Sequence, residues 1–378
     1  MGVYEIGGIT MNLSFIIVII VALMGALVFK KLRFPAGLMV GAMLASGILN
    51  IFTGIVNVPL GVKFFIQIIA GAFVGMAMDK EKLKELKAII KPAIFMILGL
   101  LFINIFLGVL IYFITDLDLI TALFATVPGG MTDVSIISQD MGADTARTAI
   151  FQLARLVGVV TFFPLIIKAL NKRINKDKLS ILQENKEVFN EMVVTKVEED
   201  EALDEGFKGE NLNKAKEVFL TLVVAFLGGV LGEVLNVPAG AMLFALIGVI
   251  VMKVFFNKGY IPKLLKDTAQ IMAGAFIGGS ITKEVILSLR FAIPSIIILI
   301  ILYAVLCMSL GYLISKWFKI DLITALFACT PAGASDMALI ASDIGAEGSY
   351  VALFQITRLI SVIAFFPGTI KIITDIFV

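Results

Sequence analysis

The chain of 378 residues contains no histidine, only two cysteines and one tryptophan, and just 16% of its residues are charged. Each shortage closes off a class of function. Imidazole is the commonest metal ligand and the side chain best suited to proton transfer near neutral pH, so copper or iron chemistry lacks its usual ligands. A membrane monooxygenase is thereby disfavoured, and neither an enzyme nor a resident metal or other cofactor is expected. Cys307 and Cys329 sit in apolar runs and read as small buried hydrophobes, not as a disulfide. A net charge of +2 gives no hold on nucleic acid, and no polar stretch is long enough for a reader domain. What the chain has in abundance is hydrocarbon. With 60% hydrophobic residues, a mean hydropathy of +1.03 and apolar runs from end to end, it reads as a polytopic protein whose solvent is the lipid bilayer.

The same pattern occurs twice at a constant offset of 203 residues. Asp118-Leu-Ile-Thr-Ala-Leu-Phe-Ala-Thr-Val-Pro-Gly-Gly130 returns as Asp321-Leu-Ile-Thr-Ala-Leu-Phe-Ala-Cys-Thr-Pro-Ala-Gly333, and Gln152-Leu-Ala-Arg155 returns as Gln355-Ile-Thr-Arg358. Residues 1–170 form one transmembrane repeat and 216–378 the other, joined by a charged linker, 171–215, with a short helix expected at 182–188. The N-terminus carries Glu5 and no basic segment, and the first apolar run has its own counterpart in the second copy, so it is expected to stay as a membrane helix and not to be cleaved.

Lysine placement orients the copies. Lys30, Lys31 and Arg33 correspond to Glu233, Val234 and Asn236, while Phe113 and Asp116 correspond to Lys316 and Lys319. Positive charge changes sides at nearly every equivalent loop, as expected of inverted repeats, with Arg147 the one clear exception. The expected fold is all-α: two inverted repeats, each of five transmembrane helices plus a re-entrant helical hairpin. The alternative, broken helices that cross the membrane, would make the repeats parallel. The basic start of the linker, with Lys172, Arg173 and Lys176, puts the linker in the cytoplasm and both termini outside, in the cell membrane.

From Asp118 to Val127 a half-helix rises about 15 Å, half of a hydrocarbon core of roughly 30 Å, so the Pro-Gly-Gly tip reaches the midplane. Arg155 and Arg358 arrive at similar depth from opposite sides. An opened helix is tolerated there only inside protein or against a cavity, which marks the tips as a ligand site; a plain packing kink is the bland alternative. The first half-helix should end with carbonyls suited to a cation, and the second should begin with N–H groups suited to an anion. Candidate ligand contacts are Gly129, Gly130, Thr132 and Asp133 in one tip and Ala332, Gly333, Ser335 and Asp336 in the other. Because Ala332 stands where Gly129 does, Gly130 and Gly333 are the positions expected to need a positive φ or close approach. Arg155 and Arg358 suit a carboxylate, or pair internally with Asp133 and Asp336. Gln152 and Gln355, three residues before each arginine on the same helix face, donate to ligand or brace the arginine. Gln67 and Gln270, in matching Gln-Ile-x-Ala-Gly-Ala-Phe segments whose glycines suit close helix packing, are pathway candidates. Asp140, Asp144, Asp343 and Glu347 fall where each hairpin returns to the surface, in solvated or capping positions.

At Thr121 to Gly130, Gly142-Ala-Asp144 and Gln152 to Arg155 the chain resembles the AbrB family of membrane proteins, over both repeats and nearly everything but the linker. The second copy departs at Ala332 and Glu347. The plan of five helices plus a hairpin is similar to that of the 2-hydroxycarboxylate and glutamate:sodium transporter families. That resemblance implies homodimers, an elevator motion, and tips and arginines that meet a substrate carboxylate. The expected function is secondary active transport of a small organic anion coupled to Na+ or H+. A membrane regulator or sensor signalling through the linker is the alternative.

Overall fold

The apolar runs fold as helices in a computed structural model that describes residues 3–6, 9–32, 34, 36–56, 59–174, 211–331, 337, 340–341 and 346–377. Ala332, Gly333, Ser335, Asp336, Asp343 and the helix expected at 182–188 lie outside the described residues. The first copy supplies α1 (Leu13–Lys31), α2 (Gly37–Thr53), α3 (Leu60–Met76), α4 (Lys80–Ile114), α5 (Leu119–Thr126), α6 (Met131–Asp140) and α7 (Thr145–Ile174). The second supplies α8 (Asn211–Val234), α9 (Gly240–Phe256), α10 (Lys263–Gly279), α11 (Lys283–Phe318), α12 (Leu322–Cys329) and α13 (Gly348–Phe377). Among the described residues six helices are long and apolar enough to cross a bilayer unaided, and the chain is an all-α polytopic membrane protein. A short antiparallel hairpin, β1 (Val3–Ile6) with β2 (Ile9–Asn12), precedes α1. Its sequence signal is Gly7-Gly8 between two short runs containing β-branched residues, a pattern of hairpin turns.

Small residues decide which helices touch. Gly25 of α1 lies on Gly41 and Ala45 of α2, where a Cβ would collide with backbone. In α10, Gly274 packs on Met39 and Ala42 of α2, and Gly278 on Met43 and Ser46. One turn further along, the Asn50 side chain donates to the carbonyls of Gly279 and Ile281. Residue numbers rise together, so α2 and α10 run parallel. Gly71 and Gly75 of α3 meet Met242, Ala245, Leu246 and Val249 of α9 in the same parallel sense. The glycines of the repeated Gln-Ile-x-Ala-Gly-Ala-Phe segment are thus used for close packing between the copies.

Direction follows from these pairings. Only residues 54–59 join α2 to α3, so those helices run in opposite senses, and each is parallel to the wrong-numbered helix of the other copy. Equivalent helices of the two copies are therefore antiparallel, which is inversion. The hairpins also return. The N–H of Asp144, at the end of the α6 turn, donates to Thr121 at the start of α5 (2.9 Å), and Glu347 donates to Thr324 in the same way (3.0 Å). A segment whose two ends touch does not cross. One end of the bundle accordingly holds the α1–α2, α3–α4 and α9–α10 loops and the two ends of the linker, and is called the linker end. The first residue of α1 and the last of α13 lie at the other, the termini end.

The helices sort into two bodies that interlace the repeats. Helices α1, α2 and α3 pack with α8, α9 and α10, whereas α4 to α7 pack with α11 to α13 around the larger core, which includes Leu107, Leu123, Phe124, Phe327 and Phe354. Rows of exposed apolar side chains, Leu98, Phe102 and Phe106 on α4 and Ile293, Ile297, Ile301 and Val305 on α11, recur every four residues and give each helix a lipid-facing stripe. Arg147, the exception to the charge rule, is held by Asp144 (3.4 Å) and Asp116 (3.9 Å), so its charge has partners at the termini end. The turn after α4 and the turn after α11 lie at opposite ends. Single cysteines at Asp116 and Lys319 are therefore expected to react with an impermeant maleimide from opposite faces of the membrane; labelling from one face would mean that the broken segments cross.

Candidate functional site

Each half-helix must end in the membrane interior, where its last carbonyls have neither water nor a following turn to bond. The residues that solve this lie on the helix after the hairpin. Asp118 caps the start of α5 by accepting from the Thr121 N–H (3.1 Å), and α5 then runs alongside α7. Gln152 on α7 donates to the carbonyls of Phe124 (2.8 Å) and Val127 (3.0 Å). One turn on, Arg155 donates through Nη1 to Val127 (2.6 Å) and through Nη2 to Gly129 (2.9 Å). The second copy repeats the device: Gln355 reaches Phe327 (2.8 Å) and Thr330 (2.8 Å), and Arg358 Nη1 reaches Thr330 (2.6 Å). The carbonyls expected to await a cation are thus occupied by protein donors. Arg155 meets tip carbonyls and not Asp133.

Both arginines are almost fully buried, at 1% and 2% exposure, and they share the centre of the bundle. Tyr303 of α11 lies within electrostatic reach of both, with the Arg155 guanidinium carbon 5.6 Å from its ring centroid. An aromatic face there offsets part of the repulsion between two like charges. Nearby, Asn104 on α4 donates to the Leu123 carbonyl (2.9 Å) and to Thr126 (2.8 Å). The equivalent pair in the second copy is Cys307 and Cys329, both free and buried, so an amide–hydroxyl bond in one repeat is replaced by two small soft side chains in the other.

A cavity of about 490 Å³ opens between the two bodies at this point. Its polar lining comprises Gly129, Gly130, Thr132, Asp133, Arg155, Lys266, Gln270 and Arg358 beside Pro331 of the second tip. Ala36, Ala77 and Lys266 extend it toward the linker end. A second cavity, about 390 Å³, lies at the termini end and includes Gln67, Asp140, Glu233, Ala239 and Lys371 but no described residue of either tip. At that cavity, Asp140 is tied to Lys63 by an ion pair and to the Gln67 amide by a hydrogen bond. Gln67 and Gln270, equivalent in sequence, therefore face different cavities.

Several expectations change in detail. The helix α6 begins at Gly130 with no side-chain cap, and the Thr132 hydroxyl donates to the Met39 sulfur instead of capping it. Asp133 lies in the first turn of α6, and its carboxylate lies beside the Cα of Gly130. Gly130 has φ −69°, open to any residue, so the positive φ expected there is absent. The tighter position is Gly129: a Cβ there would overlap Val134 and come within 3.0 Å of Val362. At Gly130 the added carbon would meet the Asp133 carboxylate (2.7 Å), the movable end of a side chain. Asp144 caps α7 by accepting from the Arg147 N–H (3.0 Å), as its place in the sequence suggested. Tyr303, Lys63 and Lys266 were not singled out from sequence. The signal for the lysines was available, because Lys63 and Lys266 are equivalent charges at the 203-residue offset inside helices of the repeat.

Gly129→Ala is therefore expected to cost about 1–3 kcal/mol through overpacking and to lower the melting temperature of the purified protein, while Gly130→Ala stays close to wild type. The opposite order in a fluorescence melt would contradict the tip geometry.

The profile of the family described as "Transition state regulatory protein AbrB" matches residues 3–171 and again 188–374, once for each repeat. Among individual proteins, "Putative regulator AbrB" of Escherichia coli strain K12 is 23% identical over 356 residues, covering 94% of this chain and 95% of its own. "Uncharacterized protein YhjN" of Bacillus subtilis strain 168 is 23% identical over 310 residues, covering 80% of this chain and 76% of its own. With the family profile met twice across nearly the whole length, and with the interrupted helices in both matched segments, the chain belongs to the AbrB family.

Proposed function

We propose that the protein is a secondary active transporter of a small organic anion. One observation carries the reading: the cavity lined by the first tip, Pro331 of the second and both arginines extends toward one end of the bundle, while toward the other end Lys63 and Gln67 tie α3 to Asp140 of α6. Alternating access needs a central site reached from one side at a time, and inverted repeats supply it because each route is the pseudo-symmetric image of the other. Among the described residues the lining carries Arg155, Arg358 and Lys266 against Asp133, a balance of charge that favours an anion. Apolar walls from Ile66, Ile69, Phe73, Leu156 and Leu359 suit a carbon skeleton, which points to an organic acid.

On this reading the linker end, rich in lysine, faces the cytoplasm and both termini face outward in the cell membrane. Residues 1–170 and 216–378 are the repeats, and 171–215 is a cytoplasmic linker. The two bodies would shift past one another, one scaffold and one carrier, in a homodimer, with Na+ or H+ as the coupling ion. A second reading, a membrane regulator, draws on the name of the Escherichia coli relative. It gives no part to the charged cavity, and deleting the linker separates the two: a transporter keeps uptake, whereas a regulator acting through the linker loses its output.

The test is uptake of labelled small carboxylic acids by proteoliposomes under a Na+ or H+ gradient. Uptake of at least one acid above that of empty vesicles is expected, and its arrest is expected when cysteines at Lys63 and Asp140 are joined by oxidation, with recovery on reduction. A panel with no uptake above empty vesicles would remove the transport reading. Uptake that continues through the cross-link would remove the gate but leave the transporter.

A further inference from the structure

Buried hydroxyls in this bundle share a habit. Ser46 (2.7 Å), Thr221 (2.7 Å), Thr330 (2.9 Å) and Thr357 (2.8 Å) each donate to the carbonyl of the residue four places earlier in the chain. Ser135 on α6 and Thr148 on α7 depart from it. Both are fully buried, and neither hydroxyl has a hydrogen-bond partner. Each has an amide oxygen one turn away in the same state: Gln139 Oε1 beyond Ser135 and Gln152 Oε1 beyond Thr148 are buried and unpartnered. A buried polar atom without a partner costs free energy, and here four oxygens share that condition within one hairpin.

The hairpin brings these residues to one level. Ile136 shares a packed cluster with Ala146 and Ala149, and Val134 and Ile137 share another with Phe151, so residues 134–137 of α6 stand beside 146–151 of α7. The turn between the helices is closed by the Ala143 N–H, which donates to the Ser138 carbonyl (2.9 Å). Ser135 and Gln139 lie on one face of α6, and Thr148 and Gln152 on one face of α7. The set is two hydroxyls and two amide oxygens, with no carboxylate, imidazole or thiolate. Divalent ions draw on carboxylates and transition metals on nitrogen or sulfur, so neutral oxygens suit a hard monovalent cation. Gln139 lies in the last turn of α6, at the carbonyl end of the helix, where partial negative charge favours a cation. Arg155 is engaged with the tip carbonyls two turns further along α7 than Thr148, about 10 Å away.

Resting on the transport reading above, which calls for a coupling ion, we infer that the α6–α7 hairpin of the first repeat is a Na+ site with Ser135, Thr148, Gln139 and Gln152 as its oxygen ligands. The duplication supplies an independent argument. At the 203-residue offset the counterparts of Ser135 and Thr148 are Ala338 and Val351, so the second copy has no hydroxyl at either place. Val351 is as fully buried as Thr148. Packing of the hairpin therefore does not require these hydroxyls, yet the first copy carries both without bonding either to protein. The neighbouring pair Asn104 and Thr126 differs from Cys307 and Cys329 in the same direction, oxygen in the first repeat and sulfur in the second. The site belongs to one repeat only, which gives one Na+ per protomer in each cycle.

The experiment melts the full chain in lipid nanodiscs by intrinsic fluorescence, with no organic acid present, in chloride salts of Na+, K+ and N-methylglucamine at equal ionic strength. A ligand that binds only the folded state raises the melting temperature as its concentration passes Kd. The wild type is expected to melt higher in Na+ than in the other two salts. Ser135→Ala and Thr148→Val, which copy the second repeat, should each weaken the apparent Na+ affinity by roughly tenfold or more. Ser135→Thr and Thr148→Ser keep the hydroxyl and should retain it within about threefold. Ser309→Ala, which removes an exposed hydroxyl of α11 bonded to its own helix, should leave the Na+ response unchanged. Melting in the N-methylglucamine salt reports whether each variant is folded. Equal melting of the wild type in all three salts would overturn the site and assign the four oxygens to buried water. A Na+ shift of wild-type size in both apolar variants would overturn the ligand assignment. A Na+ shift without uptake of any acid by proteoliposomes would uphold the site and remove the transport reading, whereas uptake driven by H+ alone, with no Na+ shift, would do the reverse.

Discussion

An α-helix that stops in the middle of a membrane leaves carbonyls that only protein can satisfy, and the whole architecture is organised around that constraint. Arg155 and Gln152 answer it for α5, and Arg358 and Gln355 answer it for α12, with matched bond lengths in the two copies. The solution requires the helix after the hairpin to run beside the half-helix, which is why α7 must enter from the same side as α5 and why the hairpin must return. Two positive charges are thereby drawn to the centre of the bundle. Tyr303 and the polar tips are the surroundings that make them tolerable there.

Once the arginines belong to the tips, the cavity acquires its character from what they do not use. Their charge remains even though Nη1 of each and Nη2 of Arg155 are occupied, so among the described residues the space between the bodies is lined by more positive than negative side chains and has an apolar wall. The scaffold-like body is joined through glycines that let backbones touch, and its contact with the tip-bearing body is slight by comparison. A firm pair of bodies with a loose seam between them fits the alternating access proposed above. The asymmetry of the seam, open where Gln270 lies and tied by Lys63, Asp140 and Gln67 on the other side, is a property of this conformation and not of the repeat.

Much of the fold was legible because membrane physics writes it in a coarse alphabet. The duplicated Asp-Leu-Ile-Thr-Ala segment located both hairpins, and the alternation of lysine between equivalent loops anticipated the inversion that the parallel pairing of α2 with α10 displays. Arg147 broke the charge pattern for a local reason invisible in a hydropathy reading, its two acidic partners Asp116 and Asp144. The site was legible as a place but not as a set of bonds. Sequence brings Gln152 and Arg155 to the depth of the tip, yet it cannot say whether their donors turn to a ligand or to carbonyls, since both answers put the same residues on the same face. It also ranks Gly130 above Gly129 from the alanine at 332, whereas the tighter site is Gly129, because of Val134 and Val362, a neighbour across a turn and one from the other repeat. Lys266 is legible as the counterpart of Lys63, but its contact with Phe73 of the other copy is not.

The central claim is that Arg155 holds the tip together before any substrate arrives. Its most direct test is the thermal melting of purified Arg155→Met protein in nanodiscs without added anion, beside wild type. Losing two bonds from a charged donor, each worth about 1.5–3 kcal/mol, should lower the melting temperature by several degrees and expose the tip to faster amide exchange at Gly129 and Gly130. A variant that melts with the wild type and keeps the tip protected would contradict the account, because the arginine would then be spare in the empty protein and reserved for ligand.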